Sequence, residues 1–340
     1  DTPPTSAKGF LAQVEDKMKE IFFSEAIASA IRNEMQRDEN VYILGEDVGI
    51  YGGSFGATAG LYDEFGPLRV RDTPISEMAI MGSSAGAAVT GMRPIAEIMY
   101  DDFLGCCMDQ LMNQAAKFRY MYGGRVQVPM TVRCACGGYV TGAAQHSQSI
   151  EAMIAHIPGL KVVYPSNPQD AKGLLISAIR DDNPVVFFEH QTLYGVKGEV
   201  TDDFDPIPLG KGKIVKEGKD VTVVATGVQV GKAKEAAEQL EKEGVSVEVI
   251  DPRCLYPLDK EMIYGSVEKT GKIVIATEEC KRGAWSGELA ARIAEDRFEC
   301  LKKPIVRVGA LDTPVPFSQP LEDYMLPQTA YIVDAIKSVL

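Results

Sequence analysis

Apolar residues along this chain recur at two periods that take turns. From Phe22 to Met35 they fall at helical spacing (Phe22, Ala26, Ile27, Ala30, Ile31), which predicts an amphipathic helix. Val41-Tyr-Ile-Leu44 is a continuous apolar run stopped by Gly45, the pattern of a strand buried on both faces. Similar runs at Arg93 to Met99, Met130 to Arg133, Lys161 to Tyr164 and Pro184 to Phe188 predict further strands. Helices are expected between them over Glu77 to Ala88, Phe103 to Met121, Ser149 to Ala155 and Pro168 to Ile179. Strands spaced by helices imply an α/β fold with a mainly parallel sheet covered on both faces.

Residues 195–212 are rich in Gly, Asp and Pro and interrupt the pattern, which places a linker at 201–212. Beyond it strands are expected at Asp220 to Ala225, Val245 to Ile250, Lys272 to Ala276 and Ile305 to Val308. Helices near 231–243, 287–294 and 331–339 complete a second, smaller α/β domain. The organisation predicted is a tail (1–17), an α/β domain (18–200), the linker, and a C-terminal α/β domain (213–340).

Composition adds exclusions. The 340 residues are 45% hydrophobic and 24% charged with a formal net charge of −13, an ordinary globular balance whose acidity disfavours nucleic acid and anionic membranes. No apolar run reaches the roughly 18 residues of a membrane span. Seven cysteines, an odd number with no secretory signal before them, fit a soluble protein of the reducing cytoplasm. Cys134-Ala-Cys136 is not a CxxC pair, so buried thiols are expected there in preference to a metal. The glycines between Gly45 and Gly60 match neither phosphate-binding pattern and read as a flexible or tightly turning loop.

Two residues stand out chemically. Glu77 opens a helix of small residues (Gly82, Ser83, Ser84, Ala85, Gly86, Ala87, Ala88), for which Asp72 or Thr73 is the expected cap and Pro74 the first residue. An acid in a first turn gains about 0.3–1 kcal/mol from the helix dipole, so its position has a structural explanation as well as a functional one. His146 lies in a polar loop, Gly142-Ala-Ala-Gln-His-Ser-Gln148, a setting shared by catalytic and ordinary histidines. His156 and His190 read as structural or surface residues. No GxSxG elbow supports a hydrolase.

The ordered runs Leu44-Gly-Glu-Asp-Val48, Asp72-Thr-Pro-Ile-Ser-Glu77, Gly91-Met-Arg-Pro94, Asp109 to Lys117, Ala144-Gln-His-Ser-Gln148, His156 to Val163, Asp170 to Leu174 and Ile179 to Pro184 give the chain a family likeness. Together with Asp251 to Asp259 and Thr313 to Ser318, it resembles the beta subunit of the thiamine-diphosphate-dependent first component of 2-oxo acid dehydrogenase complexes, from Met18 onward. The resemblance implies a pyrimidine-type thiamine-diphosphate-binding domain followed by a transketolase-like C-terminal domain.

It also implies roles. Glu77 matches the family's acid at N1′ of the cofactor's aminopyrimidine, Phe103 the ring stacked on it, and Ile75 and Met99 neighbouring pocket positions, with plain core the competing reading for Met99. His146 matches a histidine that handles substrate protons or the incoming lipoyl group. Ala178, Asp181 and Asn183 fall on a loop that holds potassium in family members; an Asp-Asn-Pro turn is the competing reading. The GDG segment that holds metal and diphosphate in this superfamily is absent from these 340 residues. By the resemblance an alpha subunit supplies that half with Mg2+, in a heterotetramer of two alpha and two beta chains that passes acyl groups to a lipoyl-bearing acyltransferase core.

The runs Asn113 to Gly124, Pro165-Ser-Asn-Pro168 and Thr313 to Ser318, with Cys106 where pyruvate-type chains often carry glutamine, are most similar to acetoin dehydrogenases. Pyruvate and branched-chain 2-oxo acids stay open as substrates. A non-catalytic scaffold subunit is the rival of another class. A nicotinamide oxidoreductase would need a dinucleotide fingerprint that is missing.

Overall fold

A computed structural model describes residues 18–201 and 205–340. The expected tail lies outside the described residues. The chain opens with β1 (Met18–Phe22) and α1 (Phe23–Arg37), whose first turn is closed by the Phe22 amide donating to Glu25 Oε2 at 2.8 Å. Then come β2 (Val41–Gly45), α2 (Leu61–Phe65), β3 (Val70–Asp72), α3 (Glu77–Val89) and β4 (Arg93–Tyr100). After a broken helical stretch follow α4 (Ala116–Met121), β5 (Thr131–Cys136), α5 (Glu151–Ala155), β6 (Lys161–Val163), α6 (Pro168–Arg180), β7 (Val185–His190) and β8 (Lys197–Thr201). Asn167 caps α6 by accepting from the Asp170 amide at 3.0 Å, with Pro168 in the first turn.

The second half contributes β9 (Lys213–Lys216), β10 (Val221–Ala225), α7 (Gln229–Glu241), β11 (Val247–Asp251), β12 (Cys254–Tyr256) and α8 (Lys260–Thr270). It ends with β13 (Ile273–Cys280), α9 (Trp285–Arg297), β14 (Val306–Ala310), α10 (Gln319–Met325) and α11 (Thr329–Val339). Three sheets result. Seven strands in the order β12-β6-β7-β5-β4-β2-β3 form the first, parallel except for β12, and five in the order β14-β13-β10-β11-β9 form the second, parallel except for β9. β1 and β8 pair antiparallel.

The central strands are buried along their whole length because helices cover both faces. Phe23, Ile27 and Ile31 of α1 pack with Leu174, Leu175 and Ile179 of α6 on one face of the first sheet. The opposite face forms one apolar cluster that runs on into the second half, joining Ile80, Leu111 and Phe188 to Ile250, Ile275 and Trp285.

β8, which β1 pairs across residue by residue, ends where the expected linker begins. Three expectations are corrected. Cys254–Tyr256 lies beyond the linker yet joins the first sheet. The helix expected over Phe103 to Met121 is a 3₁₀ segment (Asp101–Cys107), a π segment (Gln110–Ala115) and α4, a break that lets the chain change course at the strand's end. Pro74 does not open α3. The helix starts at Glu77 after Ser76, and Asp72 does not cap it: its carboxylate accepts from the Gly49 amide at 2.6 Å. An added Cβ at Gly49 would sit 2.4 Å from Asp72 Oδ2, so a larger residue there would push the carboxylate off the Gly49 amide. The loop it belongs to is a succession of tight turns with Gly52, Gly53, Gly56 and Gly60 at positive φ.

Candidate active site

The ends of β2 and β4 and the start of α3 converge on Glu77. Glu46, the residue that follows β2, lies close enough to Glu77 to feel its charge and to the Ser76 amide to be steadied by it. Burial raises the pKa of Glu46, and the charges of Glu77 and Asp47 raise it further. Glu77 is half-buried, and its carboxylate makes no hydrogen bond or ion pair with another described residue. Behind it Cys107 is pushed up to about 12 by burial, then by Cys106 and Glu77. A carboxylate held at a helix start, without a partner among the described residues, suits a ligand nitrogen that carries or needs a proton.

A second cluster gathers at the end of β4. His146 sits edge-on to Tyr100 with ring centroids 4.8 Å apart and to Phe103 at 5.5 Å. Tyr100 and Phe103 touch edge-on at 5.5 Å, and Phe55 reaches Tyr100 at 5.8 Å. The structure therefore brings His146 and Phe103 together, on a segment that packs against α3. Met99 is half-buried on β4. Ile75 is 82% exposed, so whatever apolar wall it forms is bare on this chain.

The loop that delivers His146 has an unusual backbone. Tyr139, Thr141 and Ala143 adopt φ of 66°, 58° and 60°, each costing on the order of 1–3 kcal/mol for a non-glycine residue. Gly137 at φ 83° abuts His190, whose Nε2 would lie 2.3 Å from an added Cβ. His190 is buried and faces Glu278 Oε2 at 2.7 Å. Burial tends to raise Glu278, yet the His190 imidazole and the Gly138 amide outweigh it and hold its pKa below the usual range.

Residues 178–183 do not offer free side-chain ligands for potassium. The Asp181 carboxylate pairs with Lys161 and accepts from the Asn183 amide and side chain at 2.9 Å each, while Asn183 Oδ1 accepts from Arg119 at 2.6 Å. The Ala178 carbonyl accepts from the Asp181 amide at 3.2 Å. A cation there would have to displace Lys161 and Arg119 or bind through main-chain carbonyls. Cys134 and Cys136 are buried free thiols on β5.

Sequence reasoning missed Glu46, Tyr100 and the fastening of the His146 loop. Glu46 stands inside a motif that was read for family likeness alone, and Tyr100 is simply the next residue after a recognisable strand.

Comparison with known proteins places this arrangement. The family profile described as "Transketolase, pyrimidine binding domain" matches residues 19–197, and "Transketolase, C-terminal domain" matches 210–332. The acetoin:2,6-dichlorophenolindophenol oxidoreductase subunit beta of Bacillus subtilis is 50% identical over 94% of this chain and 97% of its own. The 2-oxoisovalerate dehydrogenase subunit beta of the same organism is 48% identical over 91% and 95%. The pyruvate dehydrogenase E1 component subunit beta of Rickettsia bellii is 42% identical over 94% and 98%. A solved structure titled "Split gene transketolase, inactive beta4 tetramer" superposes with a TM-score of 0.78 at 26% identity, covering 94% of this chain and 98% of that one.

A parallel-sheet domain followed by a smaller α/β domain is the transketolase type, and the chain belongs to the transketolase family. Within it this protein is one of the beta subunits of thiamine-diphosphate-dependent dehydrogenases, a component of an oxidoreductase. No helix among the described residues is long and apolar enough to cross a membrane.

Proposed function

We propose that this chain carries the pyrimidine half of a thiamine-diphosphate site and, with an alpha subunit, cleaves the carbon–carbon bond next to a carbonyl and hands the acyl group to a lipoyl domain. The observation that carries the reading is the Glu77 carboxylate, fixed at the start of α3, without a partner among the described residues and beside Glu46. Acetoin is the preferred substrate, on the identity to acetoin oxidoreductase beta subunits; pyruvate or a branched-chain 2-oxo acid is the second reading, on the comparable identities of those relatives.

Thiamine diphosphate, when bound, supplies a nucleophilic carbon that adds to the substrate carbonyl. Glu77 holds the proton at N1′ of the aminopyrimidine. Phe103, Met99 and Ile75 line the ring and exclude water. His146, held between Tyr100 and Phe103, takes or gives a proton at the substrate's hydroxyl oxygen. Diphosphate and Mg2+ are assigned to the alpha subunit, in an assembly of two alpha and two beta chains. Potassium, where present, is held on the 178–183 loop through main-chain carbonyls, because the side-chain oxygens of Asp181 and Asn183 are engaged.

The test is turnover of the co-expressed pair on acetoin, pyruvate and branched 2-oxo acids with an artificial electron acceptor. Glu77→Gln is expected to lower turnover on the order of 10²–10⁴-fold with assembly unchanged. Activity close to wild type would leave the scaffold reading in its place.

A further inference from the structure

The loop from Gly137 to His146 is held in its course largely by the second half of the chain. Glu322 on α10 is fully buried, and its Oε2 accepts from the Thr141 amide at 3.0 Å, while its Oε1 has no partner. Oε1 faces Gly138, where an added Cβ would stand 3.2 Å away from it and 2.6 Å from Leu326 Cδ1. The Tyr139 hydroxyl donates to the Pro327 carbonyl at 2.6 Å and accepts from Gln229 Nε2 at 2.9 Å. Lys232 Nζ lies 3.5 Å above the Tyr139 ring and donates to the same carbonyl at 2.7 Å.

From β13, Glu278 Oε1 accepts from the Gly138 amide at 2.6 Å. On the near side Gln191 Nε2 donates to the carbonyls of Gly137 at 2.8 Å and His146 at 2.7 Å. Left-handed backbone at Tyr139, Thr141 and Ala143 persists only where surroundings over-determine it. Burying a carboxylate with one oxygen unpartnered is costly, and the hydrogen bond made by the other oxygen offsets only part of that cost. Here it fixes Thr141, two residues from the strained Ala143 and five from His146.

We propose that Glu322 is a positioning residue: from the C-terminal half it holds the 137–146 loop in its left-handed course and so sets His146 against Tyr100 and Phe103. The proposal rests on the reading of His146 as a proton-handling group of the site. It gives the second half a share in the reaction, although none of its residues lies among Glu77, Phe103 and His146.

The test uses the co-expressed holoenzyme with Glu322→Ala, Glu322→Gln, His146→Ala and the Glu322→Ala/His146→Ala double variant. Amide hydrogen exchange is read over 137–148 and over α3, together with turnover and exchange of the cofactor's acidic ring proton, a step assigned to Glu77. In Glu322→Ala, loop exchange is expected to rise about tenfold or more with α3 unchanged. Turnover should fall to the level of His146→Ala while ring-proton exchange stays within about twofold.

Glu322→Gln keeps an oxygen facing Thr141 and should restore both, and the double variant should be no worse than His146→Ala. Unchanged loop exchange, or full turnover in Glu322→Ala beside an impaired His146→Ala, overturns the positioning role and leaves His146 standing. Wild-type turnover in His146→Ala removes the reading beneath it and overturns the proposal from that side. If Glu322→Ala does not fold, Glu322→Asp takes its place, since the shorter side chain draws the carboxylate back from the Thr141 amide. Loop exchange equal to wild type in that variant overturns the proposal.

Discussion

Asp251 illustrates how a single buried acid shapes the pH response. It is fully buried at the end of β11, its Oδ2 accepting from the Ser166 hydroxyl at 2.5 Å and its Oδ1 from the Arg253 amide at 2.7 Å. Burial pushes its pKa up from 3.8 to about 7, against those hydrogen bonds and Arg253 and with the help of Asp170. The folded state therefore keeps this proton longer than the unfolded chain does. The stabilisation is complete below the unfolded pKa near 3.8 and is lost as pH rises through about 7. Asn fits both partners, since its oxygen accepts from Arg253 and its amide donates to Ser166. Asp251→Asn is expected to gain in Tm over wild type progressively between pH 4 and 8, and a difference constant with pH would refute this account.

At this scale the sequence was partly legible. Glu77 could be found because its chemistry and its helix-start position coincide within a few residues. Glu322 could not, since its partner Thr141 is 181 residues away and an acid on a short helix near the C-terminus has no local signature.

Among elements, α3 does most to organise the site. Its buried face uses Ile80, Met81, Ser84, Ala85 and Ala88, while Met78, Ala79, Ser83 and Gly86 are exposed, continuing from the exposed Ile75. A face this small and this bare suits the close approach of another helix, and under the proposed function the alpha subunit is the partner expected there. An added Cβ at Gly86 meets nothing within 4 Å. Gly86→Phe is therefore expected to leave the isolated chain folded with an unchanged Tm, yet to abolish co-elution with the alpha subunit in gel filtration. Retained co-elution would move the interface elsewhere.

The existence of most strands and helices followed from periodicity because parallel strands buried on both faces read as unbroken apolar runs. The stretch 101–121 did not. Its apolar spacing is helical, and nothing local reveals that the hydrogen-bond pattern passes from 3₁₀ to π to α. Nor was β12 visible, three residues whose strand character comes only from pairing with β6.

For the molecule as a whole, that short strand matters beyond its length. It gives the first sheet an edge drawn from the second half, and the two halves share one apolar cluster. A fragment ending at residue 209 would bare the β6 edge and the apolar side chains that face Ile250, Ile275 and Trp285. It is expected to aggregate when expressed alone and to be rescued by co-expression of 210–340. A soluble, cooperatively unfolding fragment would show that the seam is dispensable. The sequence suggested two domains joined by a linker because composition changes near residue 200; it could not show that the chain crosses back.

Trp285, the chain's single tryptophan, stands on this seam. Its indole Nε1 donates to the Leu255 carbonyl of β12 at 3.3 Å, and its ring borders a cleft of about 1140 Å³ between α5 and α9. The protein thus carries its own optical probe at the join. Its emission should shift to longer wavelength when β12 lifts away, before far-ultraviolet dichroism registers loss of either sheet, so that parting of the halves can be watched separately from their melting.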